Sequence, residues 1–266
     1  MNVYLRELQA YRKSTIIWAA SMSSLIVVFM ALYPAFTHDI EATKQVLASF
    51  PEAVRVAFNI SLANFFTVYG FYGYILSFAI LAGAIQAMNV GTGVISKEMS
   101  GKTADFLLSK PISRSRVVTA KLAAALTVVL ITDVIFAAVA YFAALSVSNG
   151  PVDAEKFFLL TAGLLLVQII FIALGALFSV TLPKIKSVVS VSLPTVFTFY
   201  IIGMIGDLLE NEQVRYVSPF RYYDASYIIT HVSLEGRYLA IEAVVVVVMI
   251  ALSYLIFTKK NVRASA

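Results

Sequence analysis

The sequence predicts an all-α integral membrane protein with six transmembrane helices, on three observations. Of its 266 residues 60% are hydrophobic and 13% charged, about half the charge of an ordinary soluble domain. Six segments stay apolar over about 20 residues, the length a helix needs to cross the hydrocarbon core. The basic residues gather on one set of the connections between those segments. The predicted spans are 16–36, 65–90, 122–146, 157–182, 187–206 and 238–258, in one transmembrane domain covering 1–266. The fifth is the most polar, with Ser190, Ser192 and Thr195, and Pro194 predicts a kink there.

An even number of spans puts both termini on one side, and the positive-inside rule selects the cytoplasm. With that orientation the inner segments hold Arg6, Arg12, Lys13, Lys97, Lys102, Lys110, Arg114, Arg116, Lys121, Lys184, Lys186, Lys259, Lys260 and Arg263. The outer segments hold only Lys44, Arg55, Lys156, Arg215, Arg221 and Arg237. Acidic residues run the other way, with Glu7, Glu98 and Asp105 inside. Because the basic residues follow topology, nucleic-acid binding has no support. The first apolar run is too long for a cleavable signal and lacks a small-residue cleavage site. There is no cysteine, which excludes disulfides, thiol catalysis and cysteine metal sites. His38 and His231 are far apart and predict no metal centre.

Taken in chain order, residues 1–15 read as an amphipathic helix on the inner surface. Tyr4, Leu8 and Tyr11, with Leu5, form its apolar side, and Arg6, Glu7, Gln9, Arg12 and Lys13 the others. Residues 37–64 form an outer connection, flanked by aromatic residues from Tyr33 to Tyr72 that read as a membrane-interface belt. Ala79, Gly83 and Ala87 make a small-residue stripe on the second span, suited to internal packing or to a dimer seam.

Residues 91–121 form the longest cytoplasmic connection, "SGKTADFLLSKPISRSR" at its centre. Gly101-Lys102-Thr103 imitates the end of a nucleotide phosphate loop, G-x-x-x-x-G-K-[ST]. The first glycine of that motif should stand at Ser96, and no buried strand precedes the segment, so a phosphate loop is not expected. Read as helix, Met99, Phe106, Leu107 and Leu108 make an apolar patch, and Glu98, Lys102, Asp105 and Lys110 a charged face. Pro111 ends the helix, and Arg114 and Arg116 lead into the third span. Such a helix suits a lipid surface or a groove on a soluble partner: the basic charge favours the lipid, and Glu98 and Asp105 among the bases favour the partner.

Charged and amide side chains at span depth are costly and mark function or interhelical bonds. Asp133, in the middle of the third span, suits a translocation path, a cationic substrate or a contact between helices. Gln86, Asn89 and Gln168 read as helix-to-helix glue or path lining, and Glu242 lies near the outer end of the sixth span. In the outer connection 207–237, Phe220, Tyr223 and Tyr227 are spaced to share a helical face.

The pattern Glu98, Gly101, Asp105-Phe106-Leu107-Leu108, Pro111, Ser113-Arg114 and Lys121 resembles the loop signature of ATP-binding-cassette (ABC) transporter permeases of the type-2 exporter class. The six-span layout, the basic N-terminus, Pro51-Glu52-Ala53 and the Ser218–Tyr222 segment extend the resemblance over most of the chain. It implies a dimer of this chain in a prokaryotic cell membrane, paired with two copies of a soluble ATPase. ATP and magnesium would sit on that ATPase, with no cofactor and no catalysis on this chain. The loop would be the coupling helix, with Glu98, Met99, Asp105, Phe106, Leu107, Leu108, Arg114 and Arg116 contacting the ATPase. It also implies short re-entrant helices within 207–237, with Phe220, Tyr223 and Tyr227 at an outer gate; the polar residues at span depth, Asp133, Gln86 and Gln168, are the candidates for the path. The substrate expected is amphipathic, a drug or peptide.

Three other classes compete. A secondary transporter would use Asp133 as a proton or cation site, and usually shows an internal repeat; none is evident here. An intramembrane enzyme needs a nucleophile and base at span depth, yet no histidine lies within a span. A non-transporting sensor or lipid-organising partner is the fourth class.

Overall fold

The computed structural model describes residues 3–57, 60–100, 113–182 and 184–259, and every regular element among them is a helix. They are α1 (Val3–Ala31), α2 (Tyr33–His38), α3 (Ile40–Ser49), α4 (Glu52–Ala57), α5 (Val68–Ser100) and α6 (Arg114–Val147). After these come α7 (Ala154–Thr181), α8 (Val189–Leu208), α9 (Glu212–Arg215), a 3₁₀ turn (Pro219–Arg221), α10 (Ala225–His231) and α11 (Gly236–Lys259). Six stretches are long and apolar enough to cross a membrane: α1 with α2, α5, α6, α7, α8 and α11. The start of α1, the end of α5, the start of α6 and the end of α11 therefore share one face, the terminal face. The connections 39–67, 148–153 and 209–235 share the opposite, far face.

Helix ends follow local chemistry. Ser113 caps α6 by accepting from the Arg116 amide at 3.4 Å, and Asp153 caps α7 by accepting from Glu155 and Lys156 at 2.9 and 3.3 Å. Asp39, Asn211 and Asp224 cap α3, α9 and α10 in the same way. Each satisfies amides that a helix start leaves unbonded. Several helices outrun the predicted spans. Hydropathy marks only the apolar stretch, while α5 and α6 extend past it on the terminal face through polar residues such as Lys97, Arg114 and Arg116. α8 passes through Pro194 unbroken.

α7 is apolar around its whole circumference and is buried on nearly every side, as such a helix must be. α5 packs most extensively against it, α1 lies along α6, and α11 covers another side of α7. The α5–α7 seam is closed by small residues. A Cβ added at Gly91 would meet the Ile172 carbonyl oxygen at 2.5 Å, and one at Gly175 the Thr92 amide nitrogen at 2.7 Å. The stripe of Ala79, Gly83 and Ala87 is likewise buried inside this chain. Of its two expected roles it serves internal packing.

Two expectations need correction. Residues 3–15 continue straight into the first span; Tyr4, Leu8 and Tyr11 lie on the packed side as expected, but Leu5 and Glu7 exchange places. Glu7 and Tyr11 are buried, in register with Thr15, Ala19, Met22, Ile26 and Met30 along α6, while Leu5 is 53% exposed. The reason is a partner for Glu7 on α6, given below. The aromatics at the far end of the first two spans are also not a lipid-facing belt. Tyr33, Phe65, Phe71 and Tyr72 are buried, and the Phe65, Phe71 and Tyr33 rings meet at 5.3 Å centroid separations. Edge-to-face and tilted contacts of this kind join the ends of α1 and α5.

Candidate functional site

Three polar constellations stand out against the apolar bundle, one at each face and one between them. The middle one is built by α5, α6 and α7. Asp133 lies near the centre of α6 and is 8% exposed, and Gln86 on α5 and Gln168 on α7 are fully buried. With its amide turned so that nitrogen faces the carboxylate, Gln168 donates to both Asp133 oxygens, at 2.6 and 3.1 Å. Gln86 Nε2 donates to Thr132 Oγ1 at 2.8 Å, and that hydroxyl donates to the Val128 carbonyl at 3.1 Å. Gly83 makes the approach possible: a Cβ there would lie 2.6 Å from the Gln168 amide. The three residues expected along a path are thus brought together. Gln86 Oε1, Asn89 Oδ1 and Thr92 Oγ1 are buried with no hydrogen-bond donor.

On the terminal face, Lys121 is 1% exposed. Its ammonium donates to Glu7 Oε1 at 2.5 Å and to the Val94 carbonyl at 2.7 Å. One side chain so joins α6 to α1 and to the last turns of α5, just before the 97–112 connection. A buried ammonium needs both a counter-charge and hydrogen-bond acceptors, and this geometry supplies them. Tyr4 Oη and Thr127 Oγ1, 3.0 Å apart, add a second α1–α6 contact.

Of the residues expected to touch an ATPase, Arg116 is exposed near the start of α6, and Arg114 donates to the Thr258 carbonyl of α11 at 3.5 Å. Glu98 and Met99 fall in the last turn of α5, but their side chains, and all of Asp105, Phe106, Leu107 and Leu108, lie outside the described residues.

On the far face the connection 209–235 is pinned by charge and aromatic stacking. Arg215 pairs with Glu235, donates to the Arg221 carbonyl at 2.7 Å, and lies over the Tyr238 ring at 4.3 Å. Arg237, paired with Glu235 at 2.9 Å, lies against the same ring at 4.7 Å. Arg221 binds Asp207 at 2.5 Å, and Tyr222 stacks on Tyr238 while its hydroxyl donates to the Tyr216 carbonyl at 2.7 Å. Tyr223 donates to Glu242. Burial first, and that bond and the Glu242 charge next, hold its phenol well above the usual range, so it stays a donor.

Phe220, Tyr223 and Tyr227 do not share one helical face. Phe220 ends up in the 3₁₀ turn, Tyr223 in the following link and Tyr227 in α10, because Pro219 and the Asp224 cap break the helix between them. Phe220 and Tyr223 line a cavity of about 50 Å³ with Ser77, Tyr200 and Arg221, closed toward α7 where Gly163 admits Tyr223. Tyr227 stacks on His231 at 4.1 Å instead. The Arg215, Glu235 and Tyr238 node and the Lys121–Glu7 pair escaped the sequence reading. The mixed charges of 207–237 were the available signal for the first. Nothing local links residues 114 apart in the second. Among the described residues, no group of three or more His, Asp and Glu side chains is placed to hold a metal ion.

Six apolar crossings with polar constellations at both faces and between them define a multi-pass membrane protein, and comparison with known families specifies the class. Residues 1–262 match the family model described as ABC-2 family transporter protein. The chain belongs to that family and is a membrane permease of an ABC transporter. No curated protein matches the chain.

Proposed function

We propose that this permease is the membrane half of an ATP-driven exporter: two copies form the path, and two copies of a separate ATPase drive it. Family membership across residues 1–262 carries the reading, since permeases of this family generally work with an ABC ATPase. The charge bias of the connections supports placing the terminal face in the cytoplasm. There Glu98, Met99, Asp105, Phe106, Leu107 and Leu108, with Arg114 and Arg116, would enter a groove on the ATPase. ATP and magnesium belong to that partner. A prokaryotic cell membrane is the setting that fits the family resemblance.

The substrate proposed is amphipathic, a drug or peptide. It would pass the Asp133, Gln86 and Gln168 cluster and leave under the cover formed by Phe220 and Tyr223, with Tyr227 at its edge. Closure of the ATPase pair on ATP would push the loop, and Lys121 stands where that push reaches α1.

The test is purification of the tagged chain in mild detergent from its native cell, with identification of co-eluting proteins. A stoichiometric soluble ATPase is expected. Phe106→Asp, or charge reversal at Glu98 with Arg116, should remove it while the variant still elutes as a folded species. Elution of the chain without an ATPase, under conditions that preserve other membrane complexes, would overturn the reading.

A further inference from the structure

We propose that the cluster between α5, α6 and α7 is a binding site for a protonated amine, so that the substrates of this permease carry an ammonium group on an apolar body. The inference rests on the exporter reading only for the word substrate; the site itself is argued from the chain alone.

The cluster has an excess of acceptors. Among the described residues no lysine, arginine or histidine pairs with Asp133, and its side-chain donor is the neutral amide of Gln168. Gln86, fully buried and bonded through Nε2 to the residue before Asp133, leaves Oε1 without a donor. Unpaired buried acceptors are expensive, and a carboxylate without a cation in hydrocarbon more so. What the cluster lacks is a donor that also carries positive charge.

The ligand's chemistry follows from the count of charges and oxygens. One carboxylate matches one positive charge. Calcium and magnesium take six or more oxygens, usually from several carboxylates or waters, and the cluster offers one carboxylate. An ammonium brings three N–H donors, enough for Asp133, Gln86 Oε1 and one more oxygen. Leu164 lies with Gln168 against Gly83, and the helices that carry the cluster bury other apolar side chains, Ala79, Phe136 and Phe171 among them. A bare alkali ion would exchange its whole hydration shell for these few oxygens, whereas an amine with an apolar body gains contact with such side chains.

Access follows from where Asp133 stands on α6. Gln86 and Gln168 are fully buried, yet Asp133 keeps 8% exposure and its neighbours Val134 and Ile131 are 67% and 44% exposed. The carboxylate lies at the edge between the packed and the open side of α6.

The experiment uses the full chain, purified in lipid nanodiscs without any ATPase. Saturable binding of 2-phenylethylammonium is compared with its neutral analogue 2-phenylethanol, with phenethyltrimethylammonium, and with sodium or potassium alone. The primary ammonium should bind, the alcohol should not, and the quaternary cation, with no N–H donor, should bind more weakly. Asp133→Asn, close to isosteric, should weaken the primary ammonium about tenfold or more, as loss of a charged hydrogen bond does. Gln86→Met, which removes the orphan oxygen, should weaken it severalfold. Equal binding to Asp133→Asn, equal binding of the alcohol, or displacement by sodium or potassium at equal concentration would overturn the proposal. Because no ATPase is present, amine binding by a chain that recruits no ATPase would sink only the exporter reading. An ATPase complex whose permease ignores the amine would sink only this one.

Discussion

Lys121→Met is expected to destabilise the folded permease by about 3–5 kcal/mol, the cost of breaking a buried ion pair from one side. The loss leaves the Glu7 carboxylate, 8% exposed, without its ammonium between α1 and α6. Glu7→Leu alone should cost a similar amount, because it takes the carboxylate away from a buried ammonium. The pair Glu7→Leu with Lys121→Met should recover most of the loss, since apolar side chains of similar size replace a buried pair at little net cost. Thermal unfolding of the purified variants, followed by tryptophan emission and by size-exclusion chromatography after heating, gives the three values. Costs for both single variants below about 1 kcal/mol, or a double variant no better than their sum, would show that the pair is not closed as described. The double variant also separates stability from transmission. It should fold, yet respond less to the ATPase, because the tie between α1 and the end of α5 is gone.

Gly91→Ala is the second large effect, with loss of about 1–3 kcal/mol and a lowered thermal midpoint. The new methyl would lie 2.5 Å from the Ile172 carbonyl oxygen and 2.9 Å from its Cα, so backbone must move against backbone. In an ordinary helix the same change gains up to about 1 kcal/mol in propensity; here sterics outweigh it. Gly175→Ala attacks the same crossing from α7, meeting the Thr92 amide at 2.7 Å, and should behave alike. Gly150→Ala and Gly236→Ala are the controls, since an added Cβ at either meets nothing within 4 Å. A midpoint for Gly91→Ala equal to that of the controls would contradict the close α5–α7 seam.

Much of this architecture was legible because a bilayer imposes length and composition. A crossing needs about 20 apolar residues whatever its neighbours, and each of the six predicted spans overlaps a helical stretch long enough to cross, although α5 starts only at Val68 and α8 at Val189. Their ends were harder to read. α6 starts at Arg114 and carries Arg116 and Lys121 before its apolar stretch begins, so hydropathy finds the helix late. Asp133, Gln86 and Gln168 were visible as costly polar groups, but that they meet depends on Gly83 letting α7 close on α5. Periodicity misled at two places. Glu7 was assigned to the polar side of its helix because its partner is 114 residues away. Phe220, Tyr223 and Tyr227 were aligned on a helix that Pro219 and Asp224 interrupt.

The most direct measurement of the central claim is a photo-crosslink in native membranes. A benzophenone amino acid is placed at position 106 of the full chain, with a control at Ser49 on the opposite face. The exporter account predicts one dominant adduct at position 106, to a soluble ATPase, and none to it from position 49. An ATPase adduct at neither position, or at 49 alone, would contradict the account.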